Sequence, residues 1–503
     1  MEILDITDEP VFDERIVKYE THTYNPYANT TMDYSDEIRI PIQQQDLYTL
    51  PCESFLYIEG RVVDFIHEQQ VACILANNCV AFMFEELRYE LDGVEIDRSR
   101  NVGVTSTIKN YISLTAERSK TLKHASWNEG GYQFNNGNFN FCVPLDTLLG
   151  FCEDYRRIVI NARHELILIR SRNDNNCLVG RADTNPRIEL HKIQWRMPHI
   201  TLSEVNKLSL LRTLESGRYL SVCFRSWDLY EYPLLQNTTK HSWAVKAATQ
   251  LEKPRYVIFA LQTGRKNVLA ANAAHFDACK LTNVRLHLNS DFYPYDDMNL
   301  DFDKDRFAIL YNMFARFRKS YYGHGDTHLN IDTFLAAGPF VVIDCSRQNE
   351  SVKSATVDVR LEFECKENIT ANTTAYKSKT CERENVSFPT IDHHVERTDF
   401  RRPARFRLPQ QFYGEGSGRA QRWRDAVSLR LSRTCAVGDV DKIGKNAGLL
   451  AKDSSSWFLV ERRTHPVFPG EKSYRKGDRY GAAHHIRQRA REEEVVVRDF
   501  KGL

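Results

Sequence analysis

The sequence predicts an all-β protein with a few helical insertions, in which two tandem eight-stranded jelly rolls are followed by a poorly structured basic tail. Three observations support this prediction. Apolar and polar residues alternate along many short segments, turn signals separate the segments, and two blocks of similar length each have room for about eight strands. The 503 residues are 42% hydrophobic, which is enough for a sizeable core.

This pattern divides the chain into four parts. Residues 1–36 are an N-terminal arm, residues 37–200 the first jelly roll and residues 201–376 the second. Residues 377–503 are an Arg-rich tail, which we expect to be mostly disordered or to contain short helices. Trp423, Trp457 and Phe458 leave a small domain in the tail as an alternative.

In the first roll, strands are predicted at residues 38–42, 54–65, 82–91, 138–145, 157–172 and 187–197. Asp92-Gly93 lies between two alternating runs, which indicates a type I′ hairpin because both central residues of that turn need positive φ. In the segment 187–197, Ile193, Trp195 and Met197 share one face. Pro198 is expected to end that strand.

In the second roll, strands are predicted at residues 218–230, 242–249, 255–263, 283–290, 339–346 and 355–365. The last segment has one apolar face, formed by Val357, Val359, Leu361 and Phe363. Such alternation is typical of antiparallel sheets with one buried face.

Three helices interrupt the strands. The first lies between the rolls, with Ser203 as N-cap and Gly217 as C-cap. The second is capped by Asp303 or Asp305 and stopped by Gly323. Its helically spaced apolar positions are Phe307, Leu310, Tyr311, Phe314 and Phe317. The third covers about residues 330–336.

Charge is distributed unevenly along the chain. The formal net charge is +1, but residues 376–503 carry 27 basic and 17 acidic residues, a net +10, and the remainder is −9. The basic tail also contains Phe406, Phe412, Tyr413 and Trp423, so weak nucleic-acid contact by the tail is one hypothesis, beside that of a solvated extension.

The N-terminal residues predict no secretory signal, and no segment is apolar enough to predict a membrane span. We therefore expect an intracellular protein, in cytoplasm or nucleus, or a virion component. The 12 cysteines occur singly, without CxxC or zinc-finger spacing, which favours reduced core thiols.

Motifs of catalysis and metal binding are incomplete. The phosphate-loop-like residues 438–446 have five residues between the glycines instead of four, and Asn446 replaces Ser/Thr. His324, Asp326 and His328 alternate in a polar loop without a fourth ligand, and in the calcium-like run from Asp301 a required glycine is Arg306. The sequence therefore predicts no enzyme: no catalytic, cofactor-binding or metal residues, and no cofactor.

Four stretches resemble one family, the double jelly-roll major capsid proteins of Maverick/Polinton-type elements and adintovirus-like viruses, including copies integrated in animal genomes. The stretches are residues 36–60, 84–103, 290–323 and 341–364, and they sample the chain from about Glu14 to Tyr376. YPYDDMNLDF and VIDCSRQNESVK are the most distinctive segments.

The resemblance implies a structural protein. In this family two jelly rolls stand side by side, three chains form a pseudo-hexagonal trimer, and trimers build a capsid lattice, with a minor capsid or penton protein as a possible partner. The family pattern ends at Tyr376, because a further short strand is expected where KSKTCERENVSFP leads into the basic tail. Either the final strand is replaced, or the tail comes from a fused exon or read-through.

Two alternatives to a capsid protein remain at this stage. One is a β-sandwich that recognises a glycan or a peptide through an aromatic groove. The other is nucleic-acid binding driven by the tail.

Overall fold

The computed structural model describes most of the chain before residue 389 and three short segments after it. The described residues are 15–28, 30–43, 48–64, 73–133, 136–160, 162–215, 220–245, 254–289, 291–323, 325, 327–347, 359–388, 449–453, 456–461 and 496–499. Residues 1–394 form one compact unit, which contains both jelly rolls, and residues 395–503 form a second unit.

Alternating segments form the strands of the first roll, here called roll 1. They are β1 (Ile16–Tyr24), β2 (Glu37–Ile42), β3 (Tyr48–Thr49), β4 (Phe55–Asp64), β5 (Cys73–Leu75), β6 (Phe84–Leu91), β7 (Val94–Arg100), β8 (Asn138–Pro144), β9 (Val159–Ile160), β10 (His164–Arg170), β11 (Leu178–Gly180) and β12 (Pro186–Leu202). The four short strands β3, β5, β9 and β11 are additions to a framework of eight.

The second roll, roll 2, has eight strands among the described residues. They are β13 (Leu220–Tyr232), β14 (Lys240–Val245), β15 (Pro254–Thr263), β16 (Leu281–Leu288), β17 (Asp291–Tyr293), β18 (Val341–Asp344), β19 (Val359–Cys365) and β20 (Thr373–Phe388).

Both rolls have the same strand order. In roll 1 the two sheets are β1-β12-β4-β8 and β2-β10-β6-β7, and in roll 2 they are β13-β20-β15-β18 and β14-β19-β16-β17. If the eight framework strands of each roll are numbered along the chain, both rolls read 1-8-3-6 and 2-7-4-5. This is the double Greek-key arrangement of a jelly roll, so the prediction of two eight-stranded jelly rolls is confirmed.

The structure corrects the predicted start of the first roll. Residues 16–24, assigned by the sequence to an N-terminal arm, form β1, the first strand of the roll, and pair antiparallel with β12 from Tyr24–Trp195 to Ile16–Leu202. Residues 16–21 are all exposed, so no buried face marks this strand in the sequence.

The predicted end of the second roll at residue 376 is also wrong. β20 continues to Phe388 and lies between β13 and β15, so the final strand is present and roll 2 closes. The residues from Thr373 to Cys381 are all buried, including Lys377 and Lys379. No alternating pattern marks this strand in the sequence, because the strand is buried on both faces and many of its buried residues are polar.

Lys377 faces the interior of the sandwich. It pairs with Phe259, whose ring lies 4.9 Å from Phe363 of the opposite sheet. The ammonium groups of Lys377 and Lys379 both lie 5.6 Å from the ring centroid of Tyr230. Burial lowers the pKa of Lys377 to about 7, and the nearby charge of Lys379 acts in the same direction.

Local sequence patterns agree with the structure at several positions. Asp92 and Gly93 have φ values of 50° and 79° and join β6 to β7, which confirms the type I′ hairpin. Ile193, Trp195 and Met197 are buried on one face of β12, also as predicted.

The predicted strand end at Pro198 is wrong. β12 continues to Leu202, because Met197 and His199 on either side of Pro198 remain paired with β1.

The helices are α1 (Cys79–Phe82), α2 (Val102–Ser113), α3 (Ala116–Thr121), α4 (Gly150–Asp154), α5 (Glu204–Glu215), α6 (Ala308–Tyr322) and α7 (Ile331–Ala337). The three predicted helices correspond to α5, α6 and α7, and Gly323 ends α6 with a φ of 78°. The acid caps predicted for α6 are wrong: Phe307 precedes the helix, and Asp305 lies two residues too early, after the short 3-10 turn Phe302–Lys304.

The second unit is described only at three strands. These are β21 (Leu449–Asp453), β22 (Ser456–Glu461) and β23 (Val496–Asp499), which form an antiparallel sheet in that order. The sequence predicts a tail that is mostly disordered or contains short helices, with a small domain as the alternative, and the three described segments of the tail are strands. Residues 377–388 belong to roll 2, and the Arg-rich run 397–425 lies outside the described residues.

The cores are apolar, with cysteines among the buried residues. Of the eleven described cysteines, six are buried. They are Cys79, Cys152, Cys177, Cys345, Cys365 and Cys381.

Candidate functional site

The motifs tested in the sequence do not converge on a reaction centre in the described residues. The phosphate-loop-like residues 438–446, together with His324 and Asp326, lie outside those residues. Within the described part of the chain, no group of three His, Cys, Asp or Glu side chains is arranged to hold a metal ion.

The acidic run 301–305 forms a surface ion-pair network. The ammonium group of Lys366 donates to Asp301 and to Asp303, at 2.9 Å each. These hydrogen bonds lower the pKa of both carboxyls below the ordinary value. The run therefore fastens the loop before α6 to the loop after β19.

His164 is the centre of a buried polar network in roll 1. Its Nε2 lies 2.9 Å from Thr49 Oγ1, and its Nδ1 lies 2.7 Å from the hydroxyl of Tyr89. Burial lowers the pKa of His164 to about 3, with a smaller contribution from His199. A substrate has no access to this imidazole, so we interpret the network as part of the core.

A set of polar and aromatic contacts outside the two cores joins roll 1 to roll 2. Arg225 on β13 donates from its backbone N–H and from Nε to Asp154 Oδ2 at 2.8 Å each, and from Nη2 to Oδ1 at 2.6 Å. Asp154 is the last residue of α4 in roll 1. The guanidinium carbon also lies 3.6 Å from the ring centroid of Tyr321. A two-pronged pair of this kind fixes orientation as well as distance.

Helix α4 itself is held by roll 1. The backbone N–H of Phe151 donates to Asp97 on β7 at 2.9 Å. Phe151 then packs edge-to-face on Phe224 of β13, with ring centroids 5.6 Å apart. Gly150 allows the close approach, because a Cβ there would lie 1.9 Å from the carbonyl oxygen of Arg225.

A second contact between the rolls lies beside the Arg225–Asp154 pair. Lys109 on α2 lies 3.0 Å from Glu153 on α4, and the lysine side chain is only 2% exposed. The hydroxyl of Tyr322 on α6 donates to the same carboxylate at 2.6 Å. Glu153 thus receives a buried cation from roll 1 and a hydroxyl from roll 2, so both charges remain compensated away from water.

His328, from the predicted His/Asp loop, is a third contact between the rolls. Its side chain is 3% exposed, and its ring is stacked parallel to Tyr111 of α2 at 5.9 Å. Glu129 of roll 1 lies 3.4 Å from His328 Nε2, and this partner lowers the pKa of Glu129. The structure therefore places His328 in the interface between the rolls.

These contacts define the junction: β7, α2 and α4 of roll 1 against β13 and α6 of roll 2. β7 is the outer strand of one sheet of roll 1, and β13 is the outer strand of one sheet of roll 2. The junction thus covers one strand edge of each roll.

The equivalent edges at the opposite sides are exposed. β1 corresponds to β13 in strand order, and β17 corresponds to β7. Ile16, Val17 and Tyr19 of β1 are 40%, 67% and 49% exposed. Phe292 of β17 and Tyr295 just after it are 36% and 81% exposed, and their rings stack at 5.8 Å.

No helix in the described residues is long and apolar enough to cross a membrane.

Comparison with known proteins gives the same architecture. Residues 73–383 match the family described as the double jelly roll-like domain. This match covers more than half of the chain, and the chain belongs to that family. The sequence matches no curated protein.

The chain is similar to several solved structures at very low sequence identity. A chain of the 3.5 Å cryo-EM structure of the Sputnik virophage is 8% identical with a TM-score of 0.52, over 78% of this chain and 95% of that chain. The Faustovirus major capsid protein is 9% identical with a TM-score of 0.48, over 76% of this chain and 92% of that chain. The mavirus major capsid protein is 10% identical with a TM-score of 0.47, over 76% and 90%.

The residues of the junction carry no signal that the sequence alone could reveal. Asp154 and Arg225 are 71 positions apart and belong to no motif. Gly150 looks like an ordinary loop glycine until β13 is placed against it. Their role becomes visible only when α4 of roll 1 is placed against β13 of roll 2.

Proposed function

We propose that the chain is a structural protein of capsid type, which acts by self-association into pseudo-hexagonal trimers and, through them, a shell lattice. The observation that carries this proposal is the junction: two rolls of identical strand order are joined by the partly buried Arg225–Asp154 ion pair and by the hydroxyl of Tyr322, which donates to Glu153. A building block of a lattice needs such a fixed relation between its parts, and it needs no catalytic group.

Within the family, we assign the chain to the Maverick/Polinton and adintovirus type and to an integrated virus or transposon. This assignment is supported by the resemblance of residues 290–323 and 341–364. The proposed location is the virion, or the cytoplasm or nucleus before assembly. A minor capsid or penton protein is the proposed second partner, and weak nucleic-acid contact by the tail is a further prediction.

The test is the mass of the full chain in solution, measured by size-exclusion chromatography with light scattering. At micromolar concentration we expect a species three times the 58.5 kDa chain mass. Negative-stain images of that species should show a six-lobed outline. A stable monomer at the same concentration would contradict the proposed function.

A further inference from the structure

We propose that an acid-sensitive cluster, formed by His22, Tyr24 and His199, attaches β1 to roll 1, and that mild acid releases β1 from β12 while the rest of the roll stays folded. The inference does not depend on the proposed function, because it concerns a contact within one chain. It makes the position of the first strand of roll 1 dependent on pH.

The inward side chains of β1 converge on one residue of β12. Of the nine residues of β1, only His22 and Tyr24 are half-buried, and the other seven are exposed. The hydroxyl of Tyr24 lies 2.9 Å from His199 Nε2, and the ring centroid of His22 lies 4.3 Å from that of His199. Both side chains with which β1 packs on the roll therefore contact His199.

The surroundings of His199 favour the neutral imidazole while β1 is in place. His199 is only 4% exposed, and its Nδ1 has no hydrogen-bond partner among the described residues. An imidazolium carries an N–H group at both ring nitrogens, so protonation would leave a buried donor unpaired. Burial lowers the pKa of His199 to about 4, and the charge of His22 acts in the same direction.

The charged groups around His199 compensate a positive charge there only in part. Glu20 is paired with His199 across the two strands and opposes the lowering of its pKa. However, this carboxylate is 46% exposed, and it lies 2.6 Å from Lys18 and 3.6 Å from His22. His164 of β10 adds a second repulsive imidazole, because positive charges on His164 and His199 disfavour each other.

Release of β1 changes the proton affinity of His199. Once His22 and Tyr24 no longer cover the ring, the imidazole titrates near its ordinary pKa of about 6.5. The stabilisation due to neutral His199 is therefore present above pH 6.5 and is lost as pH falls towards 4. Between pH 7.5 and pH 5 the equilibrium constant for release of β1 should rise about thirtyfold.

The release is expected to be local because β1 is an outer strand. Among the described strands β1 pairs only with β12, whereas β12 is also paired with β4 and β3. Departure of β1 therefore leaves the hydrogen-bonded ladders between β12 and these two strands in place. Outer segments of this kind can open at a lower free energy than the whole domain.

Hydrogen–deuterium exchange of the full chain measures the release. The exchange rates of residues 16–24 and of β4 are compared at pH 7.5 and pH 5, and each rate is divided by that of an unstructured peptide at the same pH. We expect the protection of β1 to fall about thirtyfold between the two pH values. β4 lies inside the sheet and should stay more protected than β1 at both.

Single glutamine variants assign the effect to the cluster. His199→Gln keeps a hydrogen-bonding group beside Tyr24 but takes up no proton, so the change in β1 should shrink to less than about threefold. His164→Gln alters the other buried imidazole and should leave the change in β1 as in the wild type. His191→Gln, at an exposed position of β12, is the matched control and should also leave it. His22→Gln removes the neighbouring charge and should weaken the pH dependence; it replaces His199→Gln if that variant does not fold.

Three results would overturn the inference. The first is a protection of residues 16–24 that is the same at pH 7.5 and pH 5. The second is a pH dependence of β1 that His164→Gln removes, because β1 would then be released only when the whole roll unfolds. The third is a change that depends on protein concentration, measured at two concentrations about tenfold apart, because it would report dissociation of copies and not release within one chain.

Discussion

The two rolls have the same strand order, but the helices that follow their fifth strands are buried to different extents. In roll 1 the helix after the fifth strand, α2, is buried along its length, and Lys109, Thr105 and Asn110 are buried with it. In roll 2 the corresponding helix, α6, is amphipathic. The difference teaches that helices at the same place in the strand order are buried according to what packs against them: α2 contacts α1, β6 and β7 of its own roll and also β13 and α6 of roll 2.

The rolls also differ in the ionisable groups that their cores contain. Roll 1 buries His164, and roll 2 buries Lys377. Burial lowers both pKa values, to about 3 and about 7 respectively. A lowered pKa of a basic group means that the unfolded chain binds the proton more readily than the folded chain does.

The largest expected effect concerns the end of roll 2. A chain that stops at Tyr376 loses most of β20, the strand between β13 and β15, whereas a chain that stops at Phe388 retains it. We expect the shorter chain to lose the unfolding transition of roll 2 altogether. Thermal unfolding monitored by circular dichroism, with limited proteolysis, measures this. Equal folding of the two chains would mean that β20 is dispensable.

The buried lysine should produce the next largest effect. Lys377→Met removes a charge whose burial costs on the order of 4 kcal/mol at pH 7, at about 1.4 kcal/mol per pKa unit. We expect the variant to be more stable than wild type in urea at pH 7, with the gain shrinking as pH rises from 7 towards 10.5, where the unfolded lysine also loses its proton. Lys207→Met on exposed α5 is the control. A gain independent of pH would point to packing instead.

A substitution at the junction should lower the free energy of unfolding by a somewhat smaller amount. Gly150→Ala places a methyl group 1.9 Å from the carbonyl oxygen of Arg225, so the two rolls must move apart. Overpacking of this kind costs about 3 kcal/mol. Gly130→Ala is the control, because its Cβ meets nothing within 4 Å. Urea unfolding at pH 7 compares the two, and equal midpoints would show that the junction tolerates displacement.

The stability of roll 1 should decrease in acid. The stabilisation due to neutral His164 is present above pH 6.5 and is lost as pH falls towards 3, because the unfolded imidazole protonates first. Between pH 7 and 5 this amounts to about 2 kcal/mol. His164→Gln should flatten that slope, whereas His191→Gln, at an exposed position, should not. Parallel pH profiles for the wild type and His164→Gln would contradict this assignment.

The smallest effect is expected at the hairpin of β6 and β7. Gly93→Ala introduces no clash, since nothing lies within 4 Å of the added Cβ, but φ is +79°. A left-handed backbone costs an alanine about 1 kcal/mol. Gly130→Ala again provides the comparison, with equal space and no positive φ. Indistinguishable urea midpoints would show that the turn relaxes.

Sequence patterns predicted those elements whose burial is decided locally. The Asp92-Gly93 turn, the face of Ile193 and Trp195, and the stripe of Phe314 and Phe317 on α6 each follow from neighbouring residues alone. β1 and β20 escaped this reasoning for opposite reasons: residues 16–21 are all exposed, and residues 373–381 are all buried. Neither pattern alternates.

Helix α2 and the junction were missed because distant parts of the chain define them. Thr105, Lys109 and Asn110 look like the solvent side of a helix, but they are buried, because elements of both rolls pack against α2. Arg225 and Asp154 are equally ordinary until β13 meets α4. The fold could therefore be predicted from local alternation, whereas the contact between the two rolls could not.

The adjacency of first and last strands has a consequence for the gene. In each roll the chain enters on strand 1 and leaves on strand 8 beside it, and in roll 2 Leu220 is paired with Phe388. The two ends of a roll are therefore neighbours. A tandem duplication of a roll leaves the strand order of both its sheets unchanged. For the same reason, an exon joined after codon 388 extends the polypeptide without interrupting a strand.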